Sequence, residues 1–99
     1  MINDLTHHIG VLKVSVHIPN AQSLKDKRMV IKSLKDKVRS KFNVSVSELD
    51  NQDKWQVATL GFAMISNDNR YVDSCLQNIL SLIDSFGTCL ICESKFEFR

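Results

Sequence analysis

Lys25, Arg28, Lys32, Lys35 and Arg39 step along the chain by three, four, three and four residues. On a helix these positions fall within an arc of roughly 80°, one continuous cationic row. Such a row suits the phosphates spaced along an RNA or DNA backbone, and binding of that kind weakens steeply with salt. Residues 25–41 hold eight basic side chains against Asp26 and Asp36, a net of +6 in a chain whose total is +2, so that everything else sums to −4. The positive charge is therefore concentrated in one element. The bland alternative is a solvated helix face, common on proteins that bind nothing acidic. Five like charges in one row repel one another, however, so stability does not explain them.

The other residue types that do chemistry are less organised. Glu48, Asp50 and Asp53, with Gln52 among them, gather three carboxylates in one short stretch, and Ser66-Asn67-Asp68 adds polar groups elsewhere. Carboxylate pairs serve acid–base chemistry or hold magnesium, but this spacing matches no calcium loop or catalytic signature, and turn and cap chemistry explains most of it. Cys89 and Cys92 form a Cys-x-x-Cys, yet on an extended strand residues three apart point to opposite faces, and no second pair stands at a ligand spacing. Cys75 and Cys92 are expected in the core. His7 and His8 are poor grounds for a designed metal site. No catalytic residue, metal or cofactor is assigned, and the chain is expected to be a non-enzymatic binding protein.

The elements that position these residues follow from periodicity. Leu12, Val14, Val16 and Ile18 alternate with Val11, Lys13, Ser15 and His17, which predicts a half-buried strand ended by Pro19-Asn20. Ser23 is an N-cap with Asp26 three residues on, opening a helix to about Phe42 whose apolar face is Leu24, Val30, Ile31, Leu34, Val38 and Phe42. Lys27 falls within that face, so it must snorkel outward or find a carboxylate.

A second strand is expected over residues 43–50, a polar hairpin over 50–54, and a third strand over 55–65 with apolar residues on both faces, Trp55 among them. Ser66-Asn67-Asp68 caps a second helix with Val72, Cys75, Leu76, Ile79, Leu82, Ile83 and Phe86 on one side and Gly87 as its C-cap. A last strand over 88–99 sets Leu90, Cys92, Phe96 and Phe98 against Ile91, Glu93, Lys95 and Glu97. The order βαββαβ, with one apolar face per helix, is satisfied by an α+β fold. It is the ferredoxin-like plait, a four-stranded antiparallel sheet with two helices on one face. The sheet's other face is open. Its register shows Val11, Lys13, Ser15, His17, Trp55, Val57, Thr59 and Ile65 there, without the row of aromatics on which an RNA-recognition motif stacks bases. A patch around Trp55, Val57 and Val11 suits a protein partner or a second copy; the plainer alternative is that Trp55 covers the end of the core.

The 99 residues, 43% hydrophobic and 24% charged, bound the chain to one domain, residues 9–99, behind a flexible extension of residues 1–8. No apolar run approaches the roughly 20 residues that span a bilayer, and the first residues lack signal-peptide character. Three cysteines without an export signal fit reduced thiols in a cytoplasmic protein.

His17-Ile18-Pro19, Ser23-Leu24-Lys25-Asp26-Lys27-Arg28, Phe42-Asn43-Val44-Ser45-Val46, Asp50 with Gln52-Asp53, Trp55-Gln56 and Ser66-Asn67-Asp68 together resemble the small bacterial YlxP-like family. The likeness runs from about Ile9 to the last strand. It implies a ferredoxin-like fold in a family whose members are largely described as uncharacterised, and an association with translation or ribosome assembly. It carries over no catalytic residue. Two expectations follow. The first is binding to structured RNA, ribosomal RNA or a ribosomal particle through Lys25, Arg28, Lys32, Lys35 and Arg39. The second is a protein-interaction or homodimerising module that uses the open sheet face or a strand edge.

Overall fold

The computed structural model describes residues 6–99; residues 1–5 of the expected extension lie outside them. The elements run β1 (His8–His17), α1 (Leu24–Lys41), β2 (Ser45–Asp50), β3 (Val57–Ser66), α2 (Asn69–Asp84) and β4 (Leu90–Phe98). The strands form one antiparallel sheet in the order β2-β3-β1-β4. This is the α+β, ferredoxin-like arrangement, with the long apolar strands β1 and β3 at the centre and β2 and β4 at the edges.

Period-two alternation decides the faces. Leu12, Val14, Val16 and Ile18 on β1 and its exit, and Ala58, Leu60, Phe62 and Met64 on β3, are buried beneath Ile31, Leu34 and Val38 of α1 and Val72, Cys75, Leu76, Ile79 and Ile83 of α2. Burying each such Leu, Ile or Phe side chain contributes about 1.5–3 kcal/mol, which is what fixes the register against a one-residue slip. Gly10 lets α2 approach β1: a Cβ there would run into Val72 Cγ1 and lie 2.7 Å from Leu76 Cδ1.

Both helix starts are capped by side chains. The Asp26 N–H donates to Ser23 Oγ (3.1 Å) and Asp26 Oδ2 accepts from the Gln22 N–H (3.0 Å), so the expected cap is reciprocal. Asp68 Oδ1 accepts from the Arg70 N–H (3.0 Å) at the start of α2. That helix ends earlier than its sequence suggests: Ser85 is the C-cap, and Gly87 takes its left-handed φ of 87° two residues later.

Two further positions depart from the periodic reading. Trp55 precedes β3, which starts at Val57, and its side chain is 54% exposed. A β-bulge opposite Ser15/Val16 pairs Ser15 with Glu93 but Val16 with Ile91, leaving Cys92 as the extra residue. Strict alternation breaks there. Ile91 faces the helices, while Leu90 and Cys92 are exposed; the buried cysteines are Cys75 and Cys89, and burial pushes the Cys89 thiol up. The expectation that Cys92 belongs to the core is corrected on that ground.

Candidate nucleic-acid interface

α1 lies over the β2 side of the sheet, and its buried side chains leave one flank for the basic row. Lys25, Arg28, Lys32 and Arg39 are exposed and Lys35 is half-buried. Arg28, Lys32, Lys35 and Arg39 line a shallow groove of about 300 Å³ together with Ile31, Asp36 and Glu48, so the row borders β2. The two acids in this groove are already engaged. Asp36 Oδ2 lies 3.0 Å from Lys32 Nζ, one helical turn away, and Glu48 Oε2 lies 2.8 Å from Lys27 Nζ. Among the described residues Lys25, Arg28, Lys35 and Arg39 make no ion pair with an acid, which leaves their charge available to an anion from outside. The Arg39 guanidinium leans over the β2 edge, where Nη2 approaches the Val46 carbonyl oxygen at 3.5 Å.

Lys27 resolves its expected conflict by finding a carboxylate. Its side chain is 1% exposed, and Nζ meets Glu48 of β2 and donates to the Asn51 carbonyl oxygen in the β2–β3 turn. The Glu48 contact is an ion pair by distance; the angles at the same oxygen do not make a hydrogen bond. Asn51 is the hub of that turn. Its φ of 65° lies in the left-handed region, which Asn tolerates better than other non-glycine residues. Its N–H donates to Asp50 Oδ1 (2.8 Å), its Nδ2 donates to Thr59 Oγ1 (3.0 Å), and its carbonyl also accepts from the Lys54 N–H (3.1 Å). Gln52 Nε2 donates back to the Glu48 carbonyl oxygen (3.3 Å). Glu48, Asp50 and Gln52 are thus engaged in turn and core geometry. Among the described residues no group of three or more His, Cys, Asp or Glu side chains is placed to hold a metal ion.

The stripe has a neighbour that the row's periodicity did not single out. Lys37 and Lys41, on the other flank of α1, line a depression of about 480 Å³ with Asn78, Ser81 and Ser85 of α2. Both lysines are part of the +6 segment, so the signal was present in the charge count and absent from the spacing.

The second set of expected residues is not brought together. Val57 faces the open side opposite His17 at one end of the sheet, and Val11 lies opposite Ala63 towards the other. Between them runs a polar band. Ser15 Oγ and Thr59 Oγ1 are 3.0 Å apart, and Glu97 Oε1 sits 3.2 Å from Lys13 Nζ and 3.7 Å from Lys95 Nζ. Arg99 Nη2 reaches Glu97 Oε2 at 4.0 Å. The hydrogen bond and charge of Lys13, then Lys95 and Arg99, hold the Glu97 carboxyl below the usual carboxylate range.

Comparison with known proteins gives a family and little chemistry. Residues 9–96 match the family described as "Protein of unknown function (DUF503)". The Bacillus subtilis (strain 168) "Uncharacterized protein YlxP" is 42% identical over 78 residues, covering 79% of this chain and 85% of that protein. Among solved structures, the "De novo designed protein Foldit4" superposes with a TM-score of 0.49 at 17% identity, covering 94% of this chain and 93% of that one.

Proposed function

Because this chain belongs to the family described as "Protein of unknown function (DUF503)", which brings no chemistry with it, its role has to be read from its surface, and we propose a non-enzymatic binding protein whose α1 stripe docks on structured RNA. The observation that carries this reading is the groove beside β2. Its lining is cationic, and both of its carboxylates are engaged from within the protein. An electrostatic surface that neutralised itself would place acids beside Arg28, Lys35 and Arg39; among the described residues none of the three is paired with an acid.

The row from Lys25 to Arg39 spans ~21 Å at 1.5 Å per residue, the reach of several phosphates along one strand. Phosphate contacts of this kind position a protein and confer little sequence preference. The open sheet face supports this assignment by what it presents: a band of Lys, Glu, Ser and Thr where a base-stacking sheet carries aromatics. A ribosomal RNA or ribosomal particle in the cytoplasm is the target that the family resemblance and the charge jointly favour.

The test is charge reversal within the groove, at exposed Lys32 and half-buried Lys35. Lys32→Glu with Lys35→Glu replaces two cations of the groove without touching Ile31, Leu34 or Val38, so the fold is expected to persist by circular dichroism while RNA binding in a filter or mobility assay is lost. Retained binding by the folded double variant would exclude the stripe as the contact surface.

A further inference from the structure

β4 forms the sheet edge opposite the one that the α1 stripe borders. Ile9 and Arg99 exchange both backbone hydrogen bonds, at 2.8 and 2.7 Å, and the antiparallel register runs unbroken from there to Ser15 and Glu93. Glu93, Lys95 and Glu97 therefore turn their amides towards β1, while Ser94, Phe96 and Phe98 turn theirs outward. Among the described residues nothing bonds to those outward groups. The β2 edge is different. It has six residues, is bulged at Leu49, and has the Arg39 guanidinium over its Val46 carbonyl, devices that block pairing.

Side chains alternate with the same period. Glu93, Lys95, Glu97 and Arg99 lie on the open face, and Ser94, Phe96 and Phe98 on the helix face, where Phe96 and Phe98 stack with centroids 6.4 Å apart and Phe98 is left 45% exposed. The open-face row thus reads minus, plus, minus, plus. Three cations converge on Glu97, whereas Glu93 makes no ion pair among the described residues.

We infer that β4 pairs antiparallel with β4 of a second copy, about a two-fold axis through Phe96, so that the two sheets become one. In this register Lys95 stands opposite the partner's Glu97 and Glu93 opposite the partner's Arg99, each twice by symmetry. Arg99 gains a carboxylate of its own and Glu93 its first cation. Phe96 meets its counterpart and Phe98 faces the partner's Ser94, closing the exposed ring into an aromatic row under the helices. The charge pattern selects among registers. An axis through Lys95 or Glu97 sets like charges opposite each other, and an axis through Ser94 pairs Glu93 with Lys95 but leaves Glu97 and Arg99 without partners.

Sedimentation of the full chain from micromolar to millimolar protein tests this. The mass is expected to rise from 11.3 kDa to twice that value. Ser94→Pro removes an N–H that no described residue of the monomer accepts and is expected to stay monomeric with its circular dichroism intact. Lys95→Glu is expected to stay monomeric as well, and Lys95→Glu with Glu97→Lys to regain the dimer, since only the Phe96 axis sets those two positions opposite each other. A wild-type chain that remains monomeric at millimolar concentration overturns the proposal, as does a dimer indifferent to Lys95→Glu. Failure of the double exchange to restore pairing overturns the register.

Discussion

Lys27 brings a full charge into the helix–sheet core and is held there by Glu48 and the Asn51 carbonyl. Removing one partner of such a buried pair leaves the other uncompensated, which costs about 3–5 kcal/mol, whereas replacing both with apolar residues of similar volume is often neutral or stabilising. Lys27→Ala is therefore expected to lower the unfolding free energy by that amount in urea titration, and Lys27→Met with Glu48→Leu to recover most of it. That Lys27 had either to snorkel outward or to find a carboxylate was legible from its place on the apolar face of α1. Which carboxylate was not, because Glu48 comes from β2 and its direction depends on pairing with β3. Glu97 makes a second prediction at this scale. Its folded-state pKa is depressed, so its contribution is present above the unfolded carboxylate range and is lost as pH falls through the folded value. The stability difference between wild type and Glu97→Gln should accordingly vanish on acidification; a difference that persists at low pH would assign the effect to packing instead.

At the scale of elements, two glycines on the central strands separate close packing from mere proximity. Gly10→Ala drives a methyl into Val72 and Leu76, both fully buried, and is expected to cost about 1–3 kcal/mol by overpacking the α2–β1 contact. Gly61→Ala meets only the partly exposed side chain of Leu49, which can swing aside, and is expected to stay within about 0.5 kcal/mol of wild type. Thermal denaturation of the two variants side by side checks both. The helices and central strands were readable from period and caps, down to the Ser23–Asp26 pair, because a single apolar face dictates each of them. The β4 bulge was not. Leu90 and Ile91 are equally apolar, so the pattern carries no sign of which one faces the core, and the shift is set by the β1 partner strand. In the sequence Trp55 continues the two-faced apolar run of β3, which is why that run does not mark where the strand begins. The chain before Val57 is instead tied to the β1–α1 loop, where Gln56 Nε2 donates to the carbonyl oxygens of Pro19 and Ala21 at 3.2 and 3.0 Å.

For the whole molecule, the two proposed surfaces occupy opposite edges of one sheet. The cationic groove runs beside β2, and the ladder to which no described residue bonds runs along β4. Pairing through β4 would therefore set two stripes at the far ends of a common sheet, and a long RNA that reached both would gain avidity without a new contact. Ser94→Pro is then expected to weaken binding to long RNA more than to a short duplex, which a side-by-side titration would show. The row of basic residues was fully legible in the sequence. That its carboxylate neighbours are engaged became visible only with Asp36 and Glu48 placed in space.

The most direct measurement is binding of the purified chain to ribosomal subunits and to naked ribosomal RNA across a salt series. If Lys25, Arg28, Lys35 and Arg39 each neutralise a phosphate, the logarithm of the binding constant should fall with the logarithm of salt at a slope of about −3 to −4, and the Lys32→Glu, Lys35→Glu variant should lose binding. No binding at low salt, or binding with a flat salt dependence that the variant shares, would contradict a phosphate-reading role for the stripe.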